Sequence, residues 1–254
     1  MESSGTVGKP KLIAELRSNK EITKEDKREA EEAVNTLFNL NFDLAPFYEN
    51  VQGDKIMAHL TWKLRGLKSP TTQTVFEALV DSIVEQQISL KVANSIEKKL
   101  IKKFGDTLNL DGEVYYAYPT PQSLATQGTE ALRQCGLSQR KAEYITEAAT
   151  LIAEGKLDLE QLKHSENADD IIRELDKLRG VGVWTAELTM IRGMQRLEAL
   201  PADDLGLKRT ISHYYCGGKT ITSLEARQIA KSWGKWKGLA AYYLIVAEML
   251  GIDA

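Results

Sequence analysis

The stretch Leu175-Asp176-Lys177-Leu178-Arg179-Gly180-Val181-Gly182-Val183-Trp184-Thr185-Ala186-Glu187 decides how the rest of the chain is read. Leu175 and Leu178 are spaced to close one amphipathic helix, and Ala186 with the apolar residues after it opens the next. Between them lies Gly180-Val181-Gly182, where missing Cβ atoms permit positive φ and close backbone approach. A helix starting directly after such a turn presents its first N–H groups unpaired, which makes the joint an anion site suited to phosphate. A bare Gly-x-Gly would be no more than a tight turn. Leu-x-Gly-Val-Gly-x-x-Thr-Ala between two amphipathic helices is a much narrower pattern. As a backbone contact it would position nucleic acid without reading its sequence.

Outward from the hairpin, helical spacing continues almost everywhere past residue 24. Phe76, Leu79, Val80, Ile83, Val84 and Ile88 recur at the i, i+3, i+4, i+7 spacing of a core-facing helix, and Val92, Ile96 and Leu100 extend the logic into the next segment. The same periodicity predicts helices over 122–134, 140–154, 168–178, 185–191, 205–215, 223–233 and 239–250. Gly and Pro punctuate the gaps, at Pro119, Pro121, Gly136, Gly155, Pro201, Gly217 and Gly218 among others. The predicted fold class is therefore all-α. Residues 1–24 are charged and weakly patterned. They read as a leader or the remnant of another domain, with 11–17 as a short strand or helical turn. Gly136-Leu137-Ser138 with Lys141 reads as a second helix-turn-helix joint, serving packing rather than contact.

The chain has 254 residues, enough for one large domain or two packed subdomains, and a net charge of −3. That balance hides an uneven distribution. Between 205 and 238 stand Lys208, Arg209, Lys219, Arg227, Lys231, Lys235 and Lys237 against Glu225 alone; Lys91, Lys98, Lys99, Lys102 and Lys103 form a second basic run. Glu25, Asp26, Glu29, Glu31 and Glu32 gather acid elsewhere. Such runs are usually solvated helix faces, so the asymmetry permits a nucleic-acid face without showing one. Cys135 and Cys216 are far apart and lack metal-ligand spacing, which excludes a cysteine-held zinc or iron–sulfur cluster. No apolar run reaches the roughly 20 residues that span a bilayer, and the first residues lack a secretory pattern.

Asp203 and Asp204 follow Pro201 and precede an apolar-periodic helix, so one of them reads as its N-cap, leaving the other to face a cleft. His213 falls on an apolar helix face and reads as packed structure.

Residues 175–187 resemble the helix-hairpin-helix of base-excision DNA glycosylases, and Leu200-Pro201-Ala202-Asp203-Asp204-Leu205-Gly206-Leu207-Lys208-Arg209 resembles their catalytic segment. The segment Phe76 to Ser89, with its Glu85-Gln86-Gln87-Ile88, is similar to the helix and loop that open the core of the 3-methyladenine DNA glycosylase II branch of the helix-hairpin-helix (HhH-GPD) superfamily. Leu37-Phe38-Asn39-Leu40-Asn41-Phe42-Asp43-Leu44 matches that branch's upstream signature. The resemblance covers about residue 30 to the end. It implies two helical subdomains flanking a cleft, one from 25–70 plus 200–254 and one from 71–199, with little or no N-terminal β domain.

The same resemblance implies a monofunctional DNA glycosylase that flips alkylated purines (3-methyladenine, 7-methylguanine) from duplex DNA and hydrolyses their glycosidic bonds. By the family pattern Asp204 is catalytic, stabilising the oxocarbenium-like charge at C1′ and orienting water. A cationic alkylpurine leaves without a second acid. Trp184 occupies the position at which bifunctional relatives carry a Schiff-base lysine, so strand cleavage is not expected, with Lys177 the nearest substitute amine. The implied base pocket holds Trp184, Leu188, Ile245 and Tyr242. Leu188 and Ile245 stand where relatives often have aromatics, for which Tyr242, Tyr243, Trp233 or Trp236 could compensate. Gly180, Val181, Gly182, Val183, Thr185, Lys208 and Arg209 are the implied DNA contacts, and Gln87 with Ile88 the wedge that fills the vacated stack. The expected partner is damaged double-stranded DNA, met by a monomer without membrane attachment, in cytoplasm and nucleoid or in a nucleus. No cofactor or metal is expected, with room for a monovalent cation at the hairpin backbone. Alternatives are a glycosylase for deaminated bases such as hypoxanthine, a bifunctional glycosylase/lyase and a non-enzymatic DNA clamp.

Overall fold

A computed structural model describes residues 1–6 and 8–253, and its backbone divides into two compact units: Met1–Gln73 with Arg196–Ala254, and Thr74–Gln195.

The second unit opens with α4 (Val75–Glu85), capped by the Thr74 hydroxyl. Its stripe Val75, Phe76, Ala78, Leu79, Val80, Ile83 and Val84 is buried. α5 (Leu90–Phe104), α6 (Pro121–Arg133), α7 (Gln139–Ala153) and α8 (Ala168–Asp176) follow, then α9 (Val183–Met194). α9 packs against α4 at Gly193, where a Cβ would stand only 2.9 Å from Ala78 Cβ and 3.0 Å from the Val75 backbone. The predicted helices over 122–134, 140–154, 168–178 and 185–191 lie within two residues of α6, α7, α8 and the start of α9.

An antiparallel hairpin, β3 (Thr107–Leu110) with β4 (Glu113–Tyr116), interrupts the helical series. Asp111 at φ 52° and Gly112 at φ 83° form its turn, the positive-φ pair that a two-residue hairpin loop requires.

The first unit joins the two ends of the chain. It holds α1 (Lys24–Leu37), α2 (Ala45–Val51), α3 (Lys55–Lys63), α10 (Leu205–Cys216), α11 (Ser223–Ile229), a 3₁₀ segment Ala230–Trp236, and α12 (Lys237–Met249). Asp54 binds the two segments together. Its Oδ1 caps α3 by accepting from the Ile56 and Met57 N–H groups at 3.0 and 3.1 Å. Its Oδ2 accepts from Tyr215 at 2.7 Å and from the Trp233 indole at 3.3 Å. The Tyr215 phenol is pushed well up from its ordinary value by burial and by this carboxylate. Tyr243 is buried beside Phe47, bonded to the Leu67 carbonyl at 2.9 Å and to the Tyr48 hydroxyl at 3.2 Å.

At the start of the chain, β1 (Glu2–Thr6) pairs with β2 (Lys9–Ile13), every strand residue exposed. Strand thus begins two residues before the 11–17 segment read from sequence, and stops at Ile13. No helix among the described residues is long and apolar enough to cross a membrane.

Candidate active site and nucleic-acid interface

The hairpin between α8 and α9 is built around one glycine, not two. Gly180 has φ 82°, and a Cβ there would lie 2.0–2.4 Å from the Tyr144 ring of α7. The turn therefore needs both its left-handed backbone and its missing side chain. Gly182 has φ −100° and ψ −176°, ordinary extended backbone, with nothing within 4 Å of a Cβ. Its role is different: as N-cap of α9 it supplies no side-chain oxygen. The N–H groups of Val183, Trp184 and Thr185 therefore find no acceptor among the described residues. Three converging donors at a helix N-terminus are suited to an anion.

The geometry also corrects the side chains assigned to this face. Val181 is buried, and its N–H is spent on the Leu178 carbonyl at 3.0 Å. Thr185 is 2% exposed, so its hydroxyl faces the protein interior. Val183, 44% exposed, remains at the surface. Arg179 is held back on α7 by Glu147 at 2.8 Å and Glu143 at 2.9 Å, its guanidinium over the Tyr144 ring.

The loop after α4 is clamped to this hairpin. The Gln86 amide donates to the Gly180 carbonyl at 2.8 Å and to the Thr185 hydroxyl at 3.0 Å. From the other side the Lys141 ammonium donates to the Val84 carbonyl at 2.8 Å and the Gln86 carbonyl at 2.5 Å, a cation on the C-terminal end of α4. Burial lowers the Lys141 pKa below its ordinary value. Between these anchors Gln87 stands exposed at φ 57°, a left-handed conformation uncommon outside glycine. Ile88 is half-buried, its N–H on the Glu85 carbonyl at 3.4 Å. The Lys141 ammonium is thus engaged inside the fold. What sequence missed was its partner, because nothing in a lysine's spacing announces a carbonyl 55 residues away.

In the first unit, the catalytic candidate and the helix cap turn out to be one residue. Asp204 Oδ1 accepts the Leu207 N–H at 2.8 Å, and its backbone is fixed through the Pro201 carbonyl at 2.9 Å. Oδ2 accepts no hydrogen bond among the described residues. Gly206 leaves room here, since a Cβ would come within 3.1 Å of Oδ1. The division of labour expected from sequence is thus revised: Asp203 does not cap α10 but accepts from Ser223 Oγ at 2.6 Å. Nearby on α10, Lys208 is half-buried and Arg209 exposed, with Glu248 3.5 Å from Arg209 Nε. His213, read as packed, is exposed with its ring edge-on to Tyr214.

Of the implied base-pocket residues, Trp184 and Leu188 lie one turn apart on α9, both half-buried, and Tyr242 and Ile245 lie on α12 of the first unit. Burial raises the Tyr242 pKa. Tyr243 and Trp233 cannot compensate as pocket aromatics, since both are fully buried and hydrogen-bonded in the core, and Trp236 packs edge-on against Phe42. The Trp184 indole N–H is buried without a partner, alone in this among the described residues. Leaving such a donor unpaired costs about 1–3 kcal/mol. Lys177 is engaged with both Glu174 oxygens at 2.6–2.7 Å on the exposed face of its helix.

A family model described as HhH-GPD superfamily base excision DNA repair protein matches residues 80–235, which take in the α4 loop, the hairpin and Asp204. The chain belongs to this superfamily. Relatives of this HhH-GPD protein include the DNA-3-methyladenine glycosylase of Bacillus subtilis, 30% identical over 236 residues that cover 93% of this chain and 78% of that one. DNA-3-methyladenine glycosylase 2 of Escherichia coli is 27% identical over 183 residues, 72% of this chain and 61% of the relative. Among solved structures, the 3-methyladenine DNA-glycosylase of Archaeoglobus fulgidus superposes with a TM-score of 0.81 at 29% identity, over 91% of this chain and 77% of that one.

Proposed function

We propose that this HhH-GPD protein is a monofunctional DNA glycosylase that excises alkylated purines, 3-methyladenine foremost, from duplex DNA. One observation carries the mechanism: a carboxylate, Asp204, is locked by one oxygen onto a helix N-terminus while its other oxygen is unengaged. A carboxylate so fixed needs no reorganisation to meet the positive charge that develops on C1′ and O4′ as the glycosidic bond breaks. Its second oxygen is free of hydrogen bonds among the described residues, which supports a role in orienting and deprotonating water for attack at C1′. An alkylated purine is already cationic and departs as a neutral base, so no second acid and no cofactor is required.

Substrate class follows from the relatives' names, DNA-3-methyladenine glycosylases in two bacteria and in the archaeal structure. The unpaired N–H groups of Val183, Trp184 and Thr185 support a grip on the phosphate backbone; Lys208, in the first unit, is a separate candidate for a phosphate contact. Exposed Gln87 supports insertion into the vacated stack, and half-buried Trp184 and Leu188 are the α9 side chains offered to the base. Trp184 offers no amine, and Lys177 is held by Glu174, so no imine forms at C1′ and the reaction ends at an abasic site.

The experiment is base release from duplexes carrying 3-methyladenine, 7-methylguanine or hypoxanthine, with strand scission scored before and after alkali and borohydride trapping alongside. Alkylpurine release, intact strands until alkali and background trapping are the expected results. Efficient trapping with direct scission overturns the monofunctional reading, and binding without release of any base overturns the enzyme.

A further inference from the structure

The hydrogen bonds that converge on Gln86 link two structures with separate tasks. Its side-chain amide reaches the hairpin at the Gly180 carbonyl and the Thr185 hydroxyl, the residue that also carries one of the open N–H groups. Its own carbonyl, the one joined to the Gln87 nitrogen, is held by Lys141. The peptide that aims Gln87 is therefore fixed at one end to α7 and at the other to the phosphate-facing turn. Gln87 sits in a left-handed backbone conformation that a loop without such anchors would relax.

Neither Gln86 nor Lys141 can meet DNA with the groups involved, because those groups are consumed internally. Gln86 is half-buried with its amide on two acceptors, and the Lys141 ammonium is on two carbonyls. What they can do is fix the register between grip and wedge. When the α9 N–H groups take a phosphate, Gln87 arrives at a set depth and angle, so binding energy at the hairpin is delivered to the stack as unstacking.

We propose that Gln86 and Lys141 are positioning residues for nucleotide extrusion, clamping the Gln87 loop to the hairpin so that phosphate capture and wedge insertion occur as one event. The inference rests on the assignment of Gln87 as wedge in the reading above. The partner chemistry is a duplex whose base must leave the stack, and the energetic demand falls when that base has no partner strand base to leave.

The test uses Gln86→Met and Lys141→Met, which keep the aliphatic stems and remove the donors, and Thr185→Val, which removes the Gln86 acceptor, with Thr185→Ser restoring it. Each is assayed on two duplexes, one with the lesion normally paired and one with it opposite an abasic analogue. Both duplexes carry 2-aminopurine beside the lesion. On the paired duplex kcat/KM should fall about five- to tenfold, the loss of roughly one hydrogen bond's contribution to extrusion, and the 2-aminopurine signal of unstacking should fall with it. For Gln86→Met and Lys141→Met both readouts should stay within about twofold on the unpaired duplex, and Thr185→Ser should recover the paired-duplex rate that Thr185→Val loses. Equal losses on both duplexes, or no loss on either, overturn the inference. A wild-type protein that unstacks the reporter without releasing any base, with unstacking lost in Gln86→Met, contradicts the glycosylase reading and supports the clamp.

Discussion

Two helix-turn-helix joints of the second unit are built on nearly the same plan, and they part at the helix cap. In the first, Gly136-Leu137-Ser138-Gln139-Arg140-Lys141-Ala142 leads into α7; in the second, Gly180-Val181-Gly182-Val183-Trp184-Thr185-Ala186 leads into α9. Each begins with a positive-φ glycine, at 105° and 82°. Each then buries an aliphatic residue (Leu137, Val181) and, four residues into the helix, an alanine (Ala142, Ala186). They differ at the cap. Ser138 closes its helix by accepting the Lys141 N–H at 3.3 Å, whereas Gly182 leaves the end of α9 open. The third residue of each helix, Lys141 or Thr185, turns to Gln86. In one joint a serine closes the N–H of the helix's third residue; in its near-copy that donor too is left available to a ligand. An unsatisfied helix end is thus a functional mark when a matched joint nearby shows that a serine could have closed it.

The largest expected effect concerns the turn glycines. Gly180→Ala should cost about 3 kcal/mol or more in unfolding free energy, from backbone strain and from the collision with Tyr144. Gly136→Ala should cost less, about 1–2 kcal/mol, since its Cβ would meet only the flexible Ile96 side chain at 3.3 Å. Urea denaturation compares them, and equal losses would break the claim that the hairpin is the more tightly built turn.

Exchanging the caps comes next. Gly182→Ser should change stability by only a few tenths of a kcal/mol. It should weaken duplex binding about tenfold by closing the Thr185 donor internally. Ser138→Gly should leave binding unchanged. Fluorescence titration at several salt concentrations measures both, and a binding loss shared by the two variants would remove the distinction between the joints.

A third effect, read through pH, lies on α4, which feeds both joints. Burial pushes the Asp81 carboxyl up to about 7, reinforced by Glu97 and Glu77 and opposed by the hydrogen bond from Tyr118 at 2.7 Å and by Arg192. The folded protein therefore holds a proton that the unfolded chain has released between about pH 4 and pH 7. The stability this group contributes is full below about pH 4 and is lost as pH rises through 7. Relative to Asp81→Asn, the wild type should lose unfolding free energy between pH 5 and pH 8. A pH dependence identical in both would show that Asp81 is not the group involved.

The helical series was legible because apolar residues at helical spacing report which face is buried, and the α4 stripe and the hairpin leucines did so. The β3–β4 hairpin was passed over although Asp111-Gly112 is a strong two-residue turn signal, because the surrounding helical periodicity dominated the reading. At the site, Gly180 was legible from its position, whereas the different task of Gly182 depends on φ and on empty space, which residue type does not encode. Asp203 and Asp204 are chemically identical, so only geometry could show that the capping residue and the catalytic candidate are the same. Clamps such as Lys141 to Gln86 join residues far apart in the chain and leave no local trace.

The central claim is that the Asp204 carboxylate carries the chemistry, and base release by Asp204→Asn tests it most directly. Asparagine caps a helix about as well as aspartate, so α10 and the fold should persist while only the negative charge is lost. With denaturation midpoint and duplex affinity matching wild type, release of 3-methyladenine should fall on the order of a hundredfold or more, while Asp203→Asn stays near wild type. An Asp204→Asn protein that releases the base at the wild-type rate would contradict the account.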